Sequence, residues 1–548
     1  MVDVVVVGAG HNGLVAAAML ARAGLSVTVL EREAVVGGAC RAEYPYRKAP
    51  ELAASTGAYL LGLMPPELLS ILDIELPLVR RDPHYFVPTL DGRYLLLGRD
   101  AAANRRQFAE FFTEDDARAD EALAAELGAL RDDIGPAWLA EPLPVEETAE
   151  RHVRPGLRAV FTEMVRGSAM DYLGRFGFAS DLLTAMYAVT DGLPGLTGSP
   201  WTPGSGHNLL VHNMCRLPGS DGTWMVVRGG MGTVTRTLAE AATKAGAQIR
   251  LGVEVDAITF SGGAVTGVST VVNAAPGARG LNAAPGAPGS RSGPGARGAG
   301  EEVAATAVLV ATDVFRLPGL LGERMPADLA STVDRWARLS PGQTMKVNLA
   351  LAGLPRFAAL PEDRGQHGTT VHLLPGVDGV LDSLRATFDD AAAGRLPDAP
   401  PLEWYLHSTV DSSLQDSAGN HSSALFVQGV PHEVAGSSWE AEKPAYVDRL
   451  LDLVEAYAPG TRDLLIDVHA LAPPDIREHF GITSANIFHV NNSVSFTDRM
   501  PYATGVPGVY AGAAGCFPAG SVIGAAGHNA ANRILADLGA GTRKGTLE

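Results

Sequence analysis

Residues Val4 to Glu31 constrain the fold more than any other stretch of the chain. Val4-Val5-Val6-Val7 is a short apolar β-branched run, the pattern of a strand buried on both faces of a parallel sheet. Gly8-Ala9-Gly10-His11-Asn12-Gly13 follows at once and fits G-x-G-x-x-G. Leu14 to Ala23 reads as an Ala- and Leu-rich helix, closed by Gly24 at its C′ position. Leu25 to Leu30 reads as a second strand, with Glu31 at its end. Each part has a mechanical reason. Gly8 permits the tight turn, Gly10 lets the backbone approach a pyrophosphate, and Gly13 lets the helix lie close on the strand. The helix N-terminus supplies N–H groups and partial positive charge for phosphates. Glu31 is placed to accept hydrogen bonds from a ribose, and its charge disfavours a 2′-phosphate. Strand, glycines, helix, strand and acid in this order predict a dinucleotide site. Ala9, His11 and Asn12 within the turn, and Arg32 after the acid, belong to the same expected site.

The bulk properties bound the rest. At 548 residues the chain is long enough for two or three domains. Hydrophobic residues at 46% and charged residues at 19% describe an ordinary soluble globular composition. A net charge of −18 argues against nucleic acid and anionic membrane surfaces as partners. No apolar run approaches the length of a transmembrane helix. The first strand begins at residue 4, which leaves no room for a signal peptide and makes the cytoplasm the expected compartment. Cys40, Cys215 and Cys516 form no C-x-x-C pair, so neither zinc nor a redox disulfide is expected.

Along the chain, Glu51 to Leu72 reads as helical, interrupted at Pro65-Pro66. Tyr85-Phe86-Val87 and Tyr94 to Leu97 form a hairpin signal around Asp91-Gly92. Ala101 to Leu139 and Pro155 to Leu193 read as helical, and Asp191 to Gly206 as a long loop of the kind that often carries function. Trp224 to Val227 is a strand. Gly229-Gly230-x-Gly232 then turns into a helix, but it lacks the six-residue spacing and a terminal acid, which argues against a separate NAD site. Gln248 to Ile258 is a strand pair. Val271 to Gly300, rich in Ala, Gly and Pro, reads as a flexible insertion in a hairpin. Ala304 to Ala311, Gly342 to Leu351, Leu402 to Leu406 and Ala424 to Gln428 read as strands, and Trp439 to Ala458 as an amphipathic helix.

The C-terminal stretch mirrors the first. Gly508 to Gly512 reads as a strand entering the small-residue turn Gly512-Ala-Ala-Gly515, and Pro518 to Ser521 as the opening of a helix from Val522 to Leu538. Gly524, Ala525, Ala526, Gly527, Ala530 and Ala531 give that helix a smooth surface. Two readings are open: close helix–helix contact, or a helix N-terminus aimed at a flavin pyrimidine, where it stabilises charge on the reduced ring.

These stretches carry a resemblance. Glu31 is followed after five residues by Gly37-Gly38, which resembles the cofactor site of FAD enzymes of the amine-oxidase and phytoene-desaturase type; NAD sites do not need this run. Ser199 to Gly206, Gly229 to Gly232, Lys346-Val-Asn-Leu-Ala350, Gly481 to His489 and Pro518 to Ala531 extend the likeness over nearly the whole chain. The chain is similar to phytoene dehydrogenase-like FAD-dependent oxidoreductases, in the branch named for a pyridine nucleotide-disulfide oxidoreductase domain. The scattered cysteines lend the "disulfide" of that name no support.

The resemblance implies an α/β fold: a discontinuous Rossmann-type FAD-binding domain (1–75, 225–320, 490–548) and a discontinuous α+β substrate-binding domain (76–224, 321–489) with a mixed sheet plus helices. It implies FAD as cofactor, held by Gly8, Ala9, Gly10, His11, Asn12, Gly13, Glu31, Arg32, Gly37, Gly38, Val255, Gly512, Gly515, Ser521 and Val522. It also implies hydride transfer from a moderately apolar small molecule to flavin N5, giving a new double bond. Lys346 resembles in position the lysine that amine oxidases hold near N5, and is the candidate catalytic residue. His489, Asn491 and His528 read rather as core or interface residues. No metal-ligand spacing, Gly-x-Ser-x-Gly or P-loop is present. A redox-neutral flavin isomerase, and a flavin-free binding or chaperone protein on the same fold, are the alternatives.

Overall fold

The computed structural model describes residues 1–190, 192–193, 195–273, 297–298, 300–376 and 378–539. The polyvaline run forms strand Val2–Val7 at the centre of a sheet, flanked on both sides by parallel neighbours. In spatial order the parallel strands are Gln248–Leu251, Val27–Glu31, Val2–Val7, Glu302–Val310 and Val509–Ala511. Val4, Val5 and Val6 have no exposed surface, as a central parallel strand requires. Strand Ala264–Asn273 adds antiparallel to the start of Glu302–Val310 and pairs with Val253–Ser261.

Helix His11–Arg22 leaves the glycine turn and ends as expected, with Gly24 in the left-handed region at φ +91°. It packs against helices Gly232–Lys244 and Ala525–Asp537. The contact with the last helix is very close: a Cβ on Gly527 would stand 2.0 Å from the Asn12 carbonyl oxygen.

The second sheet has seven strands in the order Leu465–Leu471, Thr344–Leu351, His421–Gln428, Leu402–Tyr405, Thr370–Leu373, Tyr85–Pro88 and Tyr94–Leu97. Its register sorts side chains strictly by face. Met345, Val347, Leu349, Leu425, Val427, Trp404 and Val371 share one apolar core with helix Trp439–Tyr457. The alternate positions form the opposite face, where Lys346 pairs with Phe426, Phe426 with Glu403, and Glu403 with His372. That row is buried too, yet three of its four members are ionisable.

Several expectations are corrected. Only Pro66–Leu72 of the Glu51–Leu72 stretch is helical. Upstream the chain is extended, pairing Glu43 with Ala54 and Leu61 with Met225, and the Ser55 and Gly57 carbonyls are engaged by a side chain rather than a helix ladder. The C-terminal helix starts at Ala525, not Val522, because Gly524 at φ +84° is its N-cap. The segment Ala101–Leu139 breaks at Phe112, where Thr113 and Asp116 form a capping box. Of the insertion at 271–300, the pairing of Val272 with Gly298 and Asn273 with Arg297 is seen; residues 274–296 and 299 lie outside the described residues. No helix among the described residues is long and apolar enough to cross a membrane.

Candidate active site

One cavity of about 890 Å³ is lined by both sheets. At one end stand Gly8, Gly10, His11 and Asn12 from the glycine turn, with Glu31 and Arg32 from the end of the next strand. Gly37, Gly38, Val255, Ser521 and Val522 complete this end, so residues from opposite ends of the chain share one wall. The turn is built as its residues demand. Gly8 sits at φ +104°, and a Cβ on Gly13 would stand 2.2 Å from the Gly8 carbonyl oxygen. A Cβ on Gly10 would meet nothing within 4 Å, so its α-carbon faces open cavity. Helix His11–Arg22 has no side-chain N-cap and no acid in its first turn, leaving its N–H groups for a ligand. His11 Nε2 and His489 Nδ1 are buried without a hydrogen-bond partner among the described residues. Burial, and then the nearby His489, push the His11 imidazole down to about 4. This end therefore fits the phosphate-bearing part of FAD.

Glu31 also ties the fold together. Its carboxylate is buried and accepts from Ala9 N–H at 2.7 Å and Glu33 N–H at 2.9 Å, which ties the glycine turn to the second strand. Burial raises its pKa, and those two donors oppose the rise. Ala9 lies off the cavity wall; its carbonyl accepts from Gly37 N–H at 2.9 Å, so Ala9 braces the turn from both sides. Gly512 and Gly515 also lie off the wall. A Cβ on Gly512 would press on Ala530 at 2.8 Å, and one on Gly515 on Val314 at 2.7 Å, so these glycines serve packing. The same holds for the small residues of the last helix: Gly527 and Ala530 make helix and sheet contacts, while Ser521 and Val522 face the cavity.

At the other end the mixed sheet forms the wall, with Thr344, Lys346, Phe426, Glu403, Tyr405 and His372 facing inward. Lys346 is 5% exposed, and its Nζ donates to Ser55 O at 2.5 Å and Gly57 O at 2.6 Å, 4.5 Å from the Tyr59 ring centre. Burial holds its pKa well below the ordinary value, and the charge on Glu43 pulls it partly back.

Glu43 is itself clamped. It meets His479 Nε2 at 2.8 Å and Arg41 Nε at 3.1 Å, and accepts from the Thr56 hydroxyl. Burial pushes its carboxyl up, but His479, Arg41 and Thr56 together bring it from the ordinary 4.5 down to about 2. A depressed carboxylate stabilises the fold above its unfolded pKa and loses that contribution as pH falls toward the folded one. Glu43→Gln is thus expected to cost about 3 kcal/mol at neutral pH. Urea unfolding should show a shallower loss of stability between pH 4.5 and about 2 in the variant; identical acid limbs would dismiss the clamp.

Sequence reasoning missed Arg81, His84, His372, Glu403 and Tyr405, all of which line the cavity. Arg81 and Glu403 are buried; the Tyr405 hydroxyl donates to Glu403, as does Gln428 Nε2 at 2.8 Å. The available signal was a polar residue between apolar ones in a short strand, as in Thr-Val-His-Leu and Leu-Glu-Trp-Tyr. Three other expectations sort themselves. His489 lines the cavity. Asn491 instead clamps the 191–204 loop through Thr197 at 3.0 and 3.1 Å, and the described residues of that loop lie off the cavity. His528 hydrogen-bonds Asn529 at 2.8 Å, away from the cavity.

The model of the flavin containing amine oxidoreductase family matches residues 13–275. The mouse pyridine nucleotide-disulfide oxidoreductase domain-containing protein 2 is 33% identical over 583 residues, covering 98% of this chain and 94% of that protein. Hydroxyneurosporene desaturase of Cereibacter sphaeroides is 30% identical over 285 residues, covering 48% of this chain and 52% of that protein. In fold, a solved oxidoreductase from Methanosarcina mazei superposes with a TM-score of 0.60 at 14% identity, covering 97% of this chain and 100% of that one. With a glycine turn of the required shape on the wall of a cavity shared by two sheets, the chain belongs to the family of pyridine nucleotide-disulfide oxidoreductase domain-containing protein 2, among the flavin-containing amine oxidoreductases, and FAD is its cofactor.

Proposed function

We propose that this protein is a dehydrogenase or oxidase that removes a hydride and a proton from adjacent atoms of a moderately apolar small molecule, leaving a new double bond. One observation carries the reading: the glycine turn at Gly8–Gly13 and the Lys346 face of the mixed sheet open on the same cavity. The desaturase named among the relatives supports the reaction type. When bound, FAD supplies the hydride acceptor at N5.

The chain's own residues do the rest. Gly8, Gly10, and the uncapped N-terminus of helix His11–Arg22 would hold the pyrophosphate, Glu31 the ribose, and Ser521 and Val522 the ring end. Lys346 is the proposed proton acceptor. Two carbonyls use two Nζ hydrogens, so the neutral amine is fully satisfied as a donor and keeps its lone pair. Burial favours that neutral form. Tyr59, Tyr405 and Phe426 provide the flat walls between which an apolar body is oriented and water excluded.

The test is an anaerobic half-reaction. The flavin-loaded protein is mixed with a panel of amines, alcohols and unsaturated acids, and its absorbance near 450 nm is followed. Bleaching by at least one member, with stoichiometric double-bond formation, is the expected result. A flavin that dithionite reduces but no candidate bleaches would overturn the proposal.

A further inference from the structure

We propose that the part of the cavity around Arg81, His84 and His372 binds a carboxylate carried by the substrate. This rests on the function proposed above and names the head group of the molecule oxidised.

The geometry is that of an unfinished anion site. Arg81 is 6% exposed and lines the cavity. Its Nη1 donates to Thr370 Oγ1 at 2.8 Å and its Nη2 to the Trp224 carbonyl at 3.4 Å, while its Nε is buried with no partner among the described residues. No carboxylate is within ion-pair distance of this guanidinium among the described residues, and a buried charge left so is costly.

Two imidazoles share the deficit. Both ring nitrogens of His372, and Nδ1 of His84, are buried without partners among the described residues. His372 is fixed by stacking on Tyr85, with centroids 4.1 Å apart at 27°. His84 is fixed through its carbonyl, which accepts from Thr370 N–H at 3.0 Å. Thr370 thus joins the two, since its hydroxyl also receives Arg81.

The surrounding charges favour one bound negative charge. Burial, then Arg81, hold His84 at about 4, and His372 lies well below its ordinary value for the same reasons. Both imidazoles are therefore neutral near pH 7, and each has one N–H to offer. Glu403 lies across from His372 in register and its charge acts on Arg81 from beyond ion-pair distance, while its oxygens receive Tyr405 and Gln428. Tyr59, His212 and His407 also face this group and carry no charge at neutral pH when buried, and Arg80 and Asp82 act on His84 with opposite signs. One guanidinium matches one carboxylate, whose planar oxygens suit a guanidinium fork plus an imidazole donor. A phosphate dianion would set a second negative charge near Glu403.

The experiment is calorimetric titration of the flavin-loaded protein with 4-phenylbutyrate, its isosteric amide, and acetate. The carboxylate is expected to bind at least tenfold more tightly than the amide. Arg81→Met should abolish that preference, and His372→Phe, which keeps the stacked ring, should reduce it several-fold, with flavin content unchanged in both. Equal binding of acid and amide to the wild type would overturn the proposal, as would an Arg81→Met protein that keeps the preference. Should Arg81→Met fail to fold, the wild-type ratio and His372→Phe decide. Acetate binding as tightly as phenylbutyrate would mean a site for small ions and would overturn the substrate assignment. An acid-over-amide preference that stands while no candidate, acid or otherwise, bleaches the flavin would refute the oxidoreductase reading and leave this site intact.

Discussion

Gly10→Val should yield a folded protein with no bound flavin. The two halves of that statement rest on separate observations. Gly10 has φ −73° and ψ 171°, an extended conformation that valine adopts readily. A Cβ there meets no protein atom within 4 Å, so the substitution strains nothing in the chain itself. What the branched side chain fills is the space beside the N-terminus of helix His11–Arg22, where the pyrophosphate must approach the backbone. Flavin affinity should fall by at least about 100-fold, roughly 2.7 kcal/mol. The purified variant should be colourless, with an unchanged far-UV circular dichroism spectrum. Its melting temperature should match that of wild-type protein stripped of flavin, because only the ligand's contribution is lost. Gly13→Ala is the contrasting control: its Cβ collides with the Gly8 carbonyl at 2.2 Å, so the fold itself should suffer. Stoichiometric flavin in Gly10→Val would remove this turn from the cofactor site.

Lys346→Met should retain FAD yet slow flavin reduction by at least about tenfold, or roughly 1.4 kcal/mol. Methionine preserves the length and volume of the side chain in its buried strand. Two consequences oppose each other in stability. The Ser55 and Gly57 carbonyls lose their donor, and a desolvated amine disappears from the interior. Rates, rather than melting temperature, are therefore the informative measurement. In the wild type the reduction rate should rise with pH as Nζ deprotonates, at a pH below the ordinary lysine range because burial depresses its pKa. In the variant that limb should be absent. Stopped-flow reduction across pH 6 to 10 reads both effects. Equal rates and equal pH profiles would strike Lys346 from the mechanism.

The cofactor end of the cavity was readable in the sequence and the substrate end was not, for a physical reason. A phosphate-binding turn needs particular residues at consecutive positions, and Gly8, Gly10 and Gly13 each answer a local backbone demand. The substrate end is assembled by lateral register. Lys346, Glu403 and His372 come from three strands, and only sheet pairing puts them in one row. Lys346 was found through its resemblance to amine-oxidase lysines, whereas Arg81 lies in a loop before the hairpin and gives no local sign of its burial. Errors at Glu51–Pro65 and Val522–Gly524 share a cause. Apolar and small residues there suggest helix, but tertiary partners take the backbone groups: Lys346 captures the carbonyls of 55 and 57, and Gly524 in the left-handed region delays the last helix. Gly512 and Gly515 pack against Ala530 and Val314 rather than line the cavity, and a small residue beside a ligand and one beside a helix leave the same mark in a sequence.

The position of strand Val2–Val7 sets the order in which the molecule can mature. One neighbour, Val27–Glu31, emerges from the ribosome almost at once, but the other, Glu302–Val310, is made some three hundred residues later. Until then one edge of a strand of valines stands open, a natural docking point for chaperones and a hazard for aggregation. Ser521 and Val522 arrive later still, so the nascent chain has the wall they share with the glycine turn only once they are made.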